Sequence, residues 1–72
     1  MNPSLPVVSG SEVIDALTAM DLIRVSQRGS HAKLRNGVRT AIVPLHKELA
    51  PGTLRSIIRQ ADISVEEFLG RL

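Results

Sequence analysis

Residues 28–37 read RGSHAKLRNG: one imidazole, His31, stands among Arg28, Lys33 and Arg35 between Gly29 and Gly37. No carboxylate lies close by in sequence. From Leu22 to Lys47 the chain carries six basic residues and no acid. The rest of the chain holds three arginines against seven acids, so a net charge of +2 conceals a basic middle. That segregation suits a localised anion-binding surface. A solvated polar face accounts for the charge alone equally well.

An imidazole among cations has few uses. Metal binding needs several ligands, and this neighbourhood offers neither carboxylates nor thiolates. His46 adds only a second ligand, so no metal or other cofactor is expected. A Ser-His-Asp relay needs an acid to orient the ring, and Ser30, next to His31 on a strand, points to the opposite face. General base catalysis fits better. Nearby cations disfavour the protonated ring and keep a base available near neutral pH. The same cations bind a phosphodiester and stabilise charge developing on it. The proton within reach of such a base is the 2′-hydroxyl of RNA. Its removal lets that oxygen attack the adjacent phosphorus, giving a 2′,3′-cyclic phosphate and a 5′-hydroxyl; DNA lacks the group. On composition and spacing alone, His31 reads more often as an RNA-contacting or solvated residue than as a base. His46 reads first as a residue that shapes its loop, and second as the acid that protonates the leaving 5′-oxygen.

Seventy-two residues make one domain, 1–72, in which folding buries only about 60% of the unfolded surface. The apolar residues are aliphatic and Phe68 is the one aromatic, so recognition by base stacking is not expected. The chain has no cysteine, which excludes disulfides and thiolate zinc sites and fits a reducing compartment. No run approaches the roughly 18 apolar residues of a membrane span. MNPSLPVVSG lacks the basic and apolar regions of a secretory signal. A cytoplasmic protein without membrane contact is the expectation.

The elements that must position His31 follow from period and punctuation. Residues 1–8 form an arm, with Pro3 and Pro6 opposing helix. Ser9 and Glu12 make a capping box, and Val8 and Val13 a hydrophobic staple, for a helix over 9–21. Its buried stripe is Val13, Ala16, Leu17 and Met20, and Asp21 ends it in a left-handed conformation. Strands follow over 22–28, 31–35 and 38–43, joined by a type II′ turn at Gly29-Ser30 and a turn at Asn36-Gly37. Pro44 closes the third strand. Pro51 opens a helix over 51–62 with Leu54, Ile57, Ile58 and Ala61 buried. Ser64 with Glu67, and Ile63 with Phe68, repeat the box and staple for a short helix over 64–70.

Two tight turns assign faces. Arg28 opposes His31, Ser26 opposes Lys33 and Arg24 opposes Arg35, and opposed residues share a side of the sheet. The open face then carries Arg24, Ser26, Arg28, His31, Lys33 and Arg35. Ile23, Val25, Ala32, Leu34, Ala41 and Val43 form the core face. Val38 and Ile42 fall on the basic side, and Arg39 on the core side at the sheet end.

Gly29-Ser30-His31 in a hairpin, Pro44-x-His46 after the third strand and Gly52-Thr53-Leu54-Arg55-x-Ile57 opening a helix resemble the HicA (YcfA-like) toxin family. The similarity runs from about Leu5 to Phe68. Family members often carry Gly-aromatic where this chain has Asp21-Leu22. The resemblance implies an α+β fold like a double-stranded-RNA-binding domain: α-β-β-β-α order, a three-stranded antiparallel sheet with helices on one face, and here a short C-terminal helix. It implies mRNA interferase activity with His31 as the catalytic residue. It also implies a HicB-type antitoxin that covers the active site, and operator DNA bound only through the antitoxin complex.

The reading that follows is a toxin acting as a metal-independent endoribonuclease. His31 is the base, Arg24, Arg28, Lys33 and Arg35 hold RNA, and Ser30 and His46 are secondary candidates. The alternatives are a non-catalytic RNA-binding module of the same fold, and an interaction domain whose basic face meets an acidic protein.

Overall fold

A computed structural model describes residues 4–72, so the reading of Pro3 lies outside the described residues. The order is α1 (Gly10–Ala19), β1 (Ile23–Arg28), β2 (His31–Asn36), β3 (Arg39–Pro44), α2 (Pro51–Gln60) and α3 (Val65–Leu69). The strands form one antiparallel sheet in the order β1-β2-β3. This is the expected α+β arrangement. Among the described residues, no helix is long and apolar enough to cross a membrane.

Local chemistry sets the helix ends. Ser9 Oγ accepts the Glu12 N–H and Glu12 Oε1 accepts the Ser9 N–H, both at 3.0 Å. Ser64 and Glu67 do the same at α3. Both staple pairs pack inward: Val8, Val13 and Phe68 are buried and Ile63 rests against the core. At the other end of α1, Asp21 adopts φ 70°, as read from sequence. Asp62, after α2, adopts φ 56° in the same role. In each case the aspartate N–H and the following N–H turn back onto the last helical carbonyls, Leu22 onto Leu17 and Ile63 onto Ile58. These are Schellman closures built on aspartate where glycine is usual.

Hydrogen bonds from Ser64, first its backbone N–H and then its hydroxyl, hold the Glu67 carboxyl below its ordinary value of 4.5, with Arg39 nearby adding to the effect. A lowered folded value means the stabilisation is complete above the ordinary carboxylate value and disappears as pH falls through the folded one. Ser64→Ala is expected to cost about 1 kcal/mol, read as a lower urea midpoint with an unchanged slope.

The core lies between the helices and one sheet face. Ala32, Leu34, Ala41 and Val43 point into it and meet Val13, Leu17, Leu54, Ile57 and Phe68. Two expectations about the sheet change. The second turn has Gly37 and Val38 at its centre, because Asn36 pairs with Arg39. Gly37 supplies φ +60°, as Gly29 supplies +54° in the first turn. This moves the pairing of β3 by two residues, an even shift, so Ala41 and Val43 keep the core face and Ile42 the open one.

The second change is larger. A bulge at Val25 makes Arg24 pair with Leu34 and Ile23 with Arg35, in place of Arg24 with Arg35. Ile23 and Val25, expected in the core, are 67% and 50% exposed. The bulge breaks the alternation, and although α1 also touches β1, the helices pack mainly over β3 and every residue of β1 stays exposed. Leu22, just ahead of the strand, fills the core instead.

Candidate functional site

On the face away from the helices, the first hairpin pairs Arg28 with His31 and Ser26 with Lys33. Lys33 also faces Ile42 on β3. These five residues line an open cleft of ≈ 340 Å³. His31 and Arg28 are exposed and Lys33 is half-buried. The imidazole therefore stands on the uncovered side beside a guanidinium and an ammonium group, with no carboxylate lining the cleft. A second cleft of ≈ 330 Å³, between the N-terminal arm and the C-terminus, holds Glu12, Asp15 and Arg71 but no histidine.

The remaining candidates are placed less centrally. Arg35 alternates onto the same side as His31 and Lys33 and opposes Ile23, but does not line the cleft. Arg24, expected on the basic face, is set by the bulge opposite core-facing Leu34 and so leaves that face and does not line the cleft. Ser30 sits in the turn. Its carbonyl accepts the Leu45 N–H at 2.6 Å.

His46 is closer to the centre than its place in the sequence suggests. Its ring lies 6.5 Å from that of His31, centroid to centroid, with the planes inclined at 70°. Three backbone contacts hold it there. His31 pairs with Pro44 across the sheet. Leu45 donates to Ser30, and the His46 carbonyl accepts the N–H of Gly10 at 2.9 Å. That last bond satisfies a donor in the first turn of α1, which has no partner within the helix.

Gly10 is the residue that sequence reasoning missed. A Cβ there would stand 2.0 Å from the Pro44 carbonyl oxygen and 3.1 Å from Leu45 Cα. The bare Cα lets α1 rest directly on the 44–46 segment. The signal was available: Ser9 already caps the helix, so a poor helix former in the next position points to close backbone approach. Among the described residues, no three His, Cys, Asp or Glu side chains gather as a metal-ligand set. Phe68 is fully buried and leaves no Phe, Tyr or Trp to stack on a base.

Fold and site together define a one-sheet α+β domain whose open face joins a histidine to cations. The sequence profile described as the HicA toxin of bacterial toxin-antitoxin matches residues 10–63. The chain belongs to the HicA toxin family, and is thus a toxin of a bacterial toxin–antitoxin system with an antitoxin as partner. No curated protein matches it significantly. The match begins at Gly10 and takes in the cleft, His31, His46 and α2.

Proposed function

We propose that this toxin is a metal-independent endoribonuclease, an mRNA interferase that cuts RNA through its own 2′-hydroxyl. The observation that carries the reading is the cleft that sets His31 beside Arg28 and Lys33 on the open sheet face. His31 takes the 2′-hydroxyl proton. The freed oxygen attacks the adjacent phosphorus, and Arg28 and Lys33 stabilise the charge on the non-bridging oxygens. Arg35, further along the same face, binds the strand beyond the cleft. The site acts in the cytoplasm, where a HicB-type antitoxin covers the cleft, and operator DNA is bound only by the toxin–antitoxin complex. Burial of the cleft in that complex protects His31 from chemical modification; unchanged reactivity would mean the antitoxin binds elsewhere.

Arg28→Ala and Lys33→Ala are each expected to weaken binding of single-stranded RNA at all sequences. Each also lowers the slope of log affinity against log salt by about 0.7. A slope that stays at the parent value removes that side chain from the phosphate contacts.

The deciding experiment incubates end-labelled RNA with the pure protein in excess chelator and identifies the fragment ends. Cyclic phosphate and 5′-hydroxyl ends support the proposal. Intact but gel-shifted RNA would instead make the chain a binding module, and RNA neither cut nor shifted at low salt would point to a protein ligand for the basic face.

A further inference from the structure

We propose that His46 is the general acid of the same reaction, so that the site works with two imidazoles. The inference rests on His31 as the base and extends it to the leaving group. His46 does not line the cleft, but its ring neighbours that of His31, which does, so a phosphate held at His31 would lie between the two imidazoles. In an in-line displacement the attacking and leaving oxygens lie on opposite sides of one phosphorus. A base and an acid serving them must stand apart, each within about 2.6–3.2 Å of its own oxygen. Centroids 6.5 Å apart leave that space. They are too far apart for the rings to hydrogen-bond to each other, so both keep their nitrogens for substrate.

The spacing is built into the backbone. The pairing of His31 with Pro44, the Leu45 bond to Ser30 and the Gly10 bond to His46 fix the loop on both sides of the ring. A histidine needed only to shape this loop would show a side-chain bond within it. Instead the loop is held by main-chain bonds, and His46 is exposed.

The step balances. Neutral His31 accepts the 2′-hydroxyl proton as the O2′–P bond forms. The P–O5′ bond breaks, and protonated His46 gives its proton to O5′. The products are a 2′,3′-cyclic phosphate and a 5′-hydroxyl, and exchange with water returns each ring to its starting state.

The test replaces the leaving 5′-oxygen of an RNA substrate with sulfur, which departs as a thiolate without needing a proton. On ordinary RNA, His46→Ala is expected to cut about 10²–10⁴-fold more slowly than the parent. On the sulfur substrate it should come within a few-fold of the parent, while His31→Ala stays slow on both. His46→Asn, which keeps a polar side chain in the loop, should follow the alanine variant. An equal loss on both substrates, or rescue by asparagine on ordinary RNA, makes His46 structural and overturns the proposal. So does full activity of His46→Ala on ordinary RNA, which leaves His31 as base intact. A parent protein that cuts neither substrate removes the nuclease reading itself.

Discussion

Replacing His31 with alanine is expected to slow RNA cleavage by about 10²–10⁴-fold and to leave RNA affinity close to that of the parent. The ring is exposed at the first position of β2, so its loss leaves no cavity. An exposed substitution of this kind changes stability by about 0.5 kcal/mol or less. The phosphate contacts assigned to Arg28 and Lys33 do not pass through the ring. The variant should therefore bind RNA, protect it in a gel shift and fail to cut it. Single-turnover cleavage with the enzyme in excess measures the chemical step without product release. A substrate with one 2′-deoxy nucleotide at the cleavage position should resist the parent to a similar degree, because the proton to be removed is absent. A variant that cuts at the parental rate takes His31 out of the reaction.

What the sequence made legible were the features written in local chemistry. The boxes Ser9–Glu12 and Ser64–Glu67, the left-handed Asp21 and the glycine turns each depend on residues within a few positions of one another. The two-residue turn at Gly29-Ser30 then fixed the pairing of Arg28 with His31 and of Ser26 with Lys33, so the cleft followed. The second turn was misplaced by one residue, yet the even shift spared every face. Parity is more robust than register.

The misses share another cause. Nothing near Val25 marks a bulge, and whether a helix covers β1 depends on where α1 and α2 settle over β3, a tertiary matter. Ile23 and Val25 alternate like core residues, but the bulge ends the alternation and sets Ile23 opposite Arg35, on the open side. For Val25, alternation does not say whether the side it takes is covered. The approach of His46 to His31 depends on the start of β2, the end of β3 and the seat of α1, three elements that no short sequence window contains together. Asp62 was overlooked because aspartate after a helix reads as an ordinary loop residue, although the Asp21 argument applies to it unchanged.

Gly10→Ala is expected to damage stability and catalysis together, through one contact. The added methyl would lie 2.0 Å from the Pro44 oxygen and 3.0 Å from its carbonyl carbon. Both are backbone atoms and cannot rotate aside. Relief requires α1 to tilt off the 44–46 segment. Overpacking of this kind costs about 1–3 kcal/mol. If the tilt leaves the Gly10 N–H without its His46 partner in a buried place, a further loss of about 1–3 kcal/mol follows. Gly52→Ala is the control, since a Cβ there meets nothing within 4 Å. In the first turn of α2 that change should stabilise by about 0.4–1 kcal/mol, by restricting the unfolded chain. Urea midpoints should thus move in opposite directions for the two substitutions. The catalytic consequence is separable from unfolding. At low temperature, where the Gly10→Ala chain is mostly folded, cleavage of ordinary RNA should fall because His46 no longer stands at its distance from His31. Cleavage of the sulfur-leaving substrate should fall much less. A stable Gly10→Ala protein with parental cleavage of both would mean that α1 does not bear on the 44–46 segment, and that the imidazole pair is held by the sheet alone.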